Sequence, residues 1–192
     1  EQPPAFAVVN SIASKTVQLS EKIRDVLATL GFDEILSWPL TKKEANSQAN
    51  YESWKSLAAE NSVNEEFSDL RQSLASGLLD QLNEYKKRNV EKIGLFEIGK
   101  VFGRQGKKFL EQDSLGILLA KDKAVEELRR ALEVLLRSLG IDGIDFLKAR
   151  IKPKAANPFS CWNILVKEKE IGILYKVGLP RHKNTGFAEI NV

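Results

Sequence analysis

Apolar residues recur at helical spacing in three segments of the chain. The first runs from about Ser14 to Leu30 and is followed by Gly31, a residue suited to the left-handed cap of a helix. The second runs from about Ser73 to Arg88. The third follows Asp122, which can cap its first turn, and ends at Gly140. The pattern predicts three long helices, the last with charges paired four residues apart, namely Glu126 with Arg130 and Glu133 with Arg137.

Other segments have the pattern of strands. Phe32–Trp38 is a strand candidate that ends at Pro39, because proline has no N–H for a ladder. Residues 93–102 and 114–120 are apolar on both faces, which predicts buried, central strands. Alternation on both sides of residues 167–170 predicts a hairpin with one buried face. Three shorter elements are also predicted: a strand at Trp54–Ala58, a strand beginning at Phe187, and a helix opened by a capping box of Thr41 and Glu44.

These elements predict an α+β fold with a largely antiparallel sheet flanked by helices, because runs of strands outnumber single crossovers. We expect the helices to pack on one side of the sheet. Residues 1–13 contain Pro3-Pro4 and have no helical period, so they are interpreted as a linker from an upstream domain. Residues 14–192 are predicted to form one core domain, with a C-terminus that falls inside a strand and is therefore truncated.

Composition indicates the size of the core and the cellular compartment of this domain. The chain has 192 residues, of which 43% are hydrophobic, enough for one well-packed core. Its net charge of +3 predicts only weak long-range attraction to nucleic acid. The single cysteine, Cys161, excludes an internal disulfide, and no leader or long apolar run predicts secretion or a membrane span. A cytoplasmic protein is expected.

Three sequence motifs resemble one known family. Residues 30–39, LGFDEILSWP, follow a long amphipathic helix and resemble motif 1 of class II aminoacyl-tRNA synthetases. Residues 70–74, LRQSL, with Gly77-Leu78-Leu79, and residues 95–102, LFEIGKVF, resemble the phenylalanyl-tRNA synthetase β subunit. The motifs lie in the first half of the chain, and the order of elements agrees over nearly all of it. The resemblance implies the catalytic-like core domain of that subunit, with a class II synthetase fold.

The resemblance also implies that the two subunits have different roles, one catalytic and one not. In this family the α subunit uses ATP and Mg²⁺ to activate phenylalanine and charges tRNA(Phe), whereas the β core keeps the fold without the site. The expected partner is therefore the α subunit in an α2β2 assembly, with tRNA(Phe) as a further contact of the whole enzyme. No catalytic, cofactor-binding or metal-binding residue is predicted. The expected subunit interface follows the motif-1-like segment: Ile23, Leu27, Leu30, Phe32, Trp38 and Pro39.

The residues that adenylation requires are incomplete. Class II enzymes hold the ATP phosphates with arginines and with Mg²⁺ bound by acidic residues, because phosphoryl chemistry needs its charge neutralised. Here Arg104 is displaced by one residue from the expected Phe-Arg pair of motif 2, and the acidic partner is missing. No motif 3 is found. The chain is predicted to be inactive by itself.

Two alternatives remain open at this point. Arg71 and Arg104 on adjacent elements favour an active or ATP-binding class II paralogue. Basic clusters favour an RNA-binding module: Lys86-Lys87-Arg88, Arg150/Lys152/Lys154 and Arg181/Lys183. His182 is interpreted as part of a surface turn, and Cys161 as a small buried residue of a strand.

Overall fold

A computed structural model describes residues 14–49, 54–60 and 65–192 of the chain. The linker predicted at residues 1–13 lies outside the described residues. Within the described ranges the helices are α1 (Lys15–Thr29), α2 (Lys43–Ala49), α3 (Ala75–Lys87) and α4 (Ala124–Ser138). The three long helices predicted from hydrophobic period are therefore confirmed.

The strands divide into a short and a long group. Four strands of two residues each lie in the first half of the chain: β1 (Asp33–Glu34), β2 (Leu40–Thr41), β3 (Leu57–Ala58) and β4 (Asp69–Leu70). The remaining strands are longer: β5 (Ile93–Gln105), β6 (Lys108–Ala120), β7 (Ile144–Lys148), β8 (Ala156–Val166), β9 (Lys169–Val177) and β10 (Thr185–Asn191).

Seven strands form one large sheet in the order β1-β5-β6-β10-β9-β8-β7. Only β1 runs parallel to its neighbour β5, and the other neighbouring pairs are antiparallel. Strands β2, β4 and β3 form a separate small sheet. The predicted α+β fold with a largely antiparallel sheet is confirmed, and β5 and β6 are internal strands as expected.

Both faces of the large sheet are covered by helices, so the prediction of helices on one side is wrong. On the first face, here called the α3 face, apolar side chains of α3 and of the residue before it pack on the strands: Leu74, Leu78 and Leu82 against Leu95, Leu118 and Phe187. On the opposite face, called the α1–α4 face, the packing side chains come from two helices: Ile23, Leu27, Leu128, Leu132 and Leu135 against Phe96, Ile117 and Ala188. Because side chains alternate along a strand, a strand that is apolar throughout needs a cover on each face.

Helix ends agree with the sequence in part. Gly31 and Gly140 take the left-handed conformation, with φ of 84° and 77°, and end α1 and α4 as predicted. Asp122 does not cap α4, because its Oδ1 accepts a hydrogen bond from Asn184 Nδ2 at 2.8 Å and Lys123 holds the N-cap position. The charge pairs on α4 also differ from the predicted ones: Arg129 with Glu133 at 3.2 Å, and Arg130 with Glu127 at 4.0 Å.

Three predicted strand or turn details are also corrected. Only Asp33–Glu34 of the predicted strand Phe32–Trp38 pairs as a strand. Thr41 lies in β2 opposite Asp69 and does not cap α2. The β8–β9 hairpin is buried on both faces, with Tyr175 in the α3-face core and Leu174 in the α1–α4-face core.

Candidate subunit interface

Strand β1 lies at one edge of the large sheet. It pairs with β5 through Asp33 and Glu34, and Ile35 N donates to Phe96 O at 2.9 Å. The outer side of β1 has no ladder partner within the ranges the structure describes. Beyond it, Leu36 is 83% exposed and Trp38 is 80% exposed. Residues 33–39, here called the edge segment, thus join an open strand edge to large exposed apolar side chains, a combination typical of association surfaces.

The turn that precedes the edge segment is a Schellman motif at the end of α1. Gly31 N donates to Ala28 O and Phe32 N donates to Leu27 O, both at 3.0 Å. Phe32, the residue after the turn, then packs into the α1–α4 core. The glycine permits the left-handed backbone, and the buried phenylalanine directs the chain back along the sheet edge.

The predicted interface residues divide into two groups. Ile23, Leu27 and Phe32 are buried inside this chain, because α4 covers the inner side of α1, and they are therefore core residues and not a contact surface. The other three predicted residues are exposed: Leu30, Trp38 and Pro39. For these residues, contact with a partner stays a prediction.

Sequence reasoning missed Leu36. Its signal was available, because Leu36 and Trp38 are two residues apart and would share one side of the predicted strand Phe32–Trp38. A shallow depression of about 180 Å³ beside α4 is lined by Leu30, Ala131 and Val134 together with the charged Lys121, Glu127 and Arg130. This depression adds a mixed apolar and charged surface next to Leu30.

A buried polar network holds the edge segment in place. Arg71 Nη1 lies 2.6 Å from Glu97 Oε1 and donates to Ser37 Oγ at 2.8 Å. Ser37 Oγ donates to Glu97 Oε2 at 2.6 Å, and Ser37 N donates to Glu97 Oε1 at 3.2 Å. Arg71 is 5% exposed and Glu97 is 1% exposed. We call Ser37, Arg71 and Glu97 the Arg71 network. It fixes the residue between Leu36 and Trp38 through both its backbone and its hydroxyl.

The three sequence motifs meet at this network. Ser37 belongs to the motif-1-like segment, Arg71 to LRQSL and Glu97 to LFEIG. Two motif glycines make room for it: a Cβ at Gly77 would overlap Ser37 Oγ, and a Cβ at Gly99 would overlap Arg71 Nη2. Motifs that lie up to 60 residues apart therefore serve one structural purpose, which is to position the edge segment.

A second buried carboxylate sits at the start of α3. Glu189 Oε2 accepts from Ser73 Oγ at 2.5 Å, and Glu189 Oε1 accepts from Leu74 N at 3.1 Å. Burial raises the pKa of Glu189 to about 7, although the bonds from Ser73 and Leu74 and the nearby Arg71 charge oppose that rise. Burial, followed by the Glu189 charge, raises the pKa of Tyr175 well above its usual value. Glu189 thus anchors α3 from the central strand β10.

Replacing Glu189 with glutamine should change how stability depends on pH. The raised pKa means that Glu189 is protonated in the folded chain below about pH 7, whereas an unfolded carboxyl ionises near 4.5. Its contribution is therefore complete below the unfolded pKa and is lost as pH rises through about 7, with a size on the order of 3 kcal/mol. Urea titrations of both proteins from pH 4.5 to 8 measure it.

The informative quantity is the difference in free energy of unfolding between wild type and Glu189→Gln. We expect this difference to fall as pH rises from 4.5 to 7 and to level off above that. The groups facing Glu189 from other elements are retained in both proteins: Arg71, Glu97 and Tyr175. A difference that stays constant over this range would contradict the assignment.

The residues present do not fit an ATP and Mg²⁺ site. Arg71 forms an ion pair with Glu97 and a hydrogen bond with Ser37. Arg104 lies exposed near the β5–β6 turn, opposite Phe109. The α3 face of β6 is filled, since a Cβ at Gly116 would meet Leu74 and Leu78. Among the described residues no cluster of His, Cys, Asp and Glu is arranged to hold a metal ion.

Two candidate reactive residues are buried. Cys161 is fully buried, as predicted for a small core residue, and burial raises its pKa to about 11. His182 is also buried and does not lie in an exposed turn, which corrects the sequence interpretation. Burial, then Lys86 and Arg181, lower the pKa of His182. Neither group is placed as a nucleophile or a base.

Comparison with known proteins identifies the family. The family described as "Phenylalanyl tRNA synthetase beta chain CLM domain" matches residues 1–179. The phenylalanine–tRNA ligase β subunit of Carboxydothermus hydrogenoformans is 27% identical over 169 residues, covering 80% of this chain and 21% of that protein. That of Korarchaeum cryptofilum is 27% identical over 83% of this chain and 29% of its own length. The chain thus spans less than a third of the length of either relative.

Solved structures agree on the fold. A pyrrolysyl-tRNA synthetase, PylSc, from Desulfitobacterium hafniense superposes with a TM-score of 0.71 over 92% of this chain and 66% of that one, at 16% identity. At that identity the likeness concerns the fold alone, which is the class II synthetase fold expected from the sequence. No helix in the described ranges is both long and apolar enough to cross a membrane. The motifs that meet at the Arg71 network and the family match over residues 1–179 show that the chain belongs to the phenylalanyl-tRNA synthetase β chain core-domain family.

Proposed function

We propose that this chain is a non-catalytic core domain that associates with the catalytic α subunit of a cytoplasmic phenylalanine–tRNA ligase, in an α2β2 assembly that supports charging of tRNA(Phe). One observation carries the proposal. Leu36 and Trp38 are each at least 80% exposed, yet the residue between them is fixed by the buried Arg71 network. Exposed apolar side chains on a fixed backbone lose little conformational entropy on binding, which favours association.

The chemistry of the edge segment suits a protein partner. A tryptophan buries 150–250 Å² when covered, and such anchors dominate the energetics of subunit interfaces. The open side of β1 offers unpaired backbone groups to a neighbouring chain. Interfaces of this obligate kind bury about 2,000 Å² or more, so the edge segment would form the centre of a larger surface that includes Leu30 and the depression beside it.

The proposed lack of catalysis follows from where the arginines are. Arg71 cannot bind a phosphate without leaving Glu97 buried and unpaired, which costs several kcal/mol. Arg104 lies on the exposed β5–β6 hairpin, opposite Phe109, and the described residues contain no cluster of His, Cys, Asp and Glu that could hold Mg²⁺. ATP and Mg²⁺ would accordingly be used by the α subunit.

The test is association with that subunit. Multi-angle light scattering is run on the purified chain, on the separately expressed α subunit from the same genome, and on their mixture. We expect a stable complex in the mixture and no phenylalanine-dependent ATP–pyrophosphate exchange by the chain alone. Two unmixed peaks would contradict the assembly role, and exchange activity in the isolated chain would contradict the non-catalytic role.

A further inference from the structure

The sheet edge opposite β1 carries a second exposed surface. It comprises the end of β7, the connecting segment and the first residues of β8, together residues 147–159, here called the Phe159 surface. Phe159 is 83% exposed, Ile151 is 69% exposed and Leu147 is 58% exposed. Three large apolar side chains on one short segment exceed the scattered exposure that is ordinary on protein surfaces.

The Phe159 surface is held by hydrogen bonds and buried anchors. Ala149 N donates to Cys161 O at 3.1 Å, and Gly178 N donates to Ala155 O at 2.7 Å. Phe159 N donates to Asn157 Oδ1 at 2.9 Å. The small residues between the exposed ones are buried: Ala149, Pro153, Ala155 and Ala156. The exposed side chains are therefore presented by an ordered backbone.

The same surface concentrates positive charge. Lys148, Arg150, Lys152 and Lys154 occupy every second position and are all exposed, whereas residues 147–162 contain no acidic side chain. None of the four has an ion-pair partner among the described residues. The ammonium of Lys148 donates to Phe159 O at 2.5 Å and that of Lys152 donates to Pro158 O at 2.7 Å, so their charges are not neutralised. Lys148 also lies 4.3 Å from the centre of the Trp162 ring.

Two other basic clusters, Lys86-Lys87-Arg88 and Arg181/Lys183, lack these features. Lys86 donates to Arg181 O at 3.1 Å, and Lys87 pairs with Glu84 at 2.6 Å. In the described part of the chain neither cluster contains a large apolar side chain as exposed as Phe159. Charge and exposed aromatic surface coincide at the Phe159 surface and, with a shorter cationic segment, at the β5–β6 hairpin, where Phe109 lies beside Arg104, Lys107 and Lys108.

We propose that the Phe159 surface binds an unpaired, single-stranded segment of RNA, with bases stacking on Phe159 and phosphates contacting the four cations of this surface. Single-stranded nucleic acids are bound by this combination, because every base has a face that stacks and every nucleotide has a phosphate. A duplex hides its base faces, so it would use the cations but not Phe159. An acidic peptide would also meet the cations, but it has no planar group at each repeat to cover Phe159. This inference is independent of association with the α subunit.

The experiment measures binding of a fluorescein-labelled, unstructured ten-nucleotide RNA to the purified chain by fluorescence anisotropy across a salt series. We expect Phe159→Ala and Phe159→Leu each to weaken binding about tenfold, because both remove base stacking. The leucine variant keeps an apolar side chain and so separates stacking from general hydrophobicity. The double variant Arg150→Gln/Lys154→Gln should lower the slope of log affinity against log salt by about 1.4, since each lost phosphate contact contributes about 0.7.

Matched controls come from other exposed positions. Trp38→Ala removes a tryptophan that is 80% exposed on the edge segment, and Lys167→Gln/Lys169→Gln removes two cations from the β8–β9 turn. We expect both to bind RNA like wild type, and circular dichroism checks that all variants are folded. Absence of RNA binding, equal loss in the controls, or equal affinity for a duplex of the same length would overturn the proposal. Preference for a polyglutamate peptide over the RNA would assign the surface to an acidic protein instead.

Discussion

Replacing Arg71 with methionine is expected to lower the free energy of unfolding by about 3–5 kcal/mol. The substitution keeps much of the side-chain volume but removes the cation that faces Glu97, leaving a carboxylate that is 1% exposed without its partner. It also removes hydrogen bonds to Ser37 Oγ and Lys100 O. A loss of this size is a large share of the stability of an ordinary domain. Urea unfolding followed by far-ultraviolet circular dichroism measures it.

A surface ion pair provides the control for Arg71. Arg24 lies 2.8 Å from Glu34, with both side chains about a third exposed or more. Solvent screens such pairs, so Arg24→Met should change the free energy of unfolding by less than about 1 kcal/mol. If Arg71→Met does not fold, Glu97→Gln tests the same network from its other side, because the amide oxygen can still accept from Ser37 N and Arg71 Nη1 while the charge pairing is lost. Equal effects of Arg71→Met and Arg24→Met would contradict the structural role of the network.

Replacing Trp38 with alanine is expected to weaken binding of the α subunit about thirtyfold or more, since tryptophan anchors at interfaces typically contribute about 2 kcal/mol or more. Leu36→Ala should act in the same direction with a smaller effect. Because Trp38 is 80% exposed in this chain, its removal should leave the midpoint of thermal unfolding nearly unchanged. Isothermal titration calorimetry with the α subunit measures binding, and a thermal scan of the isolated chain measures stability.

The control for Trp38 is Phe109→Ala. Phe109 is also a large exposed aromatic residue, but it lies near the turn of the β5–β6 hairpin and far along the chain from the edge segment. We expect it to bind the α subunit like wild type. If Trp38→Ala and Phe109→Ala bind equally well, the edge segment is not the centre of the interface. If Trp38→Ala destabilises the isolated chain, Trp38 packs within the domain and does not serve as a contact for the α subunit.

The two predictions are linked through Ser37. The Arg71 network fixes this residue, and its neighbours on each side are the exposed Leu36 and Trp38. Loss of Arg71 should therefore also weaken binding of the α subunit at a temperature where Arg71→Met is still folded. Loss of Trp38, in contrast, should weaken binding without changing stability. A variant that loses both stability and binding therefore marks a residue that positions the edge segment, whereas a variant that loses binding alone marks a residue that contacts the α subunit.

The local elements follow from the sequence because their causes are local. The hydrophobic period, Gly31 and Gly140 place α1, α3 and α4 to within a few residues of their observed ends. The motif strings around Ser37, Arg71 and Glu97 indicate the family. Residues 93–102 and 114–120 are recognisable as buried strands because polar residues are sparse on both faces.

The partners of these residues cannot be read from the sequence. The sequence assigns Ile23 and Leu27 to an interface because hydrophobic period shows that a helix face is covered but not by what, and α4 supplies the cover from within the chain. By sequence alone Arg71 can be assigned to a phosphate, because nothing in the sequence shows that it pairs with Glu97. That pairing spans 26 residues and depends on how β5 passes the start of α3. Asp122 has the position of a cap, but Asn184 reaches it from 62 residues further on.

The sequence by itself determined the helices, most strands and the family of this protein, since these depend on spacing and on short motifs. The tertiary structure decided which apolar residues remain exposed, which charges are neutralised, and that three distant motifs share one buried network. The physical reason is that burial and charge pairing are properties of the assembled sheet and its two helical layers. Each depends on residues that are remote in the chain and meet only when the chain has folded.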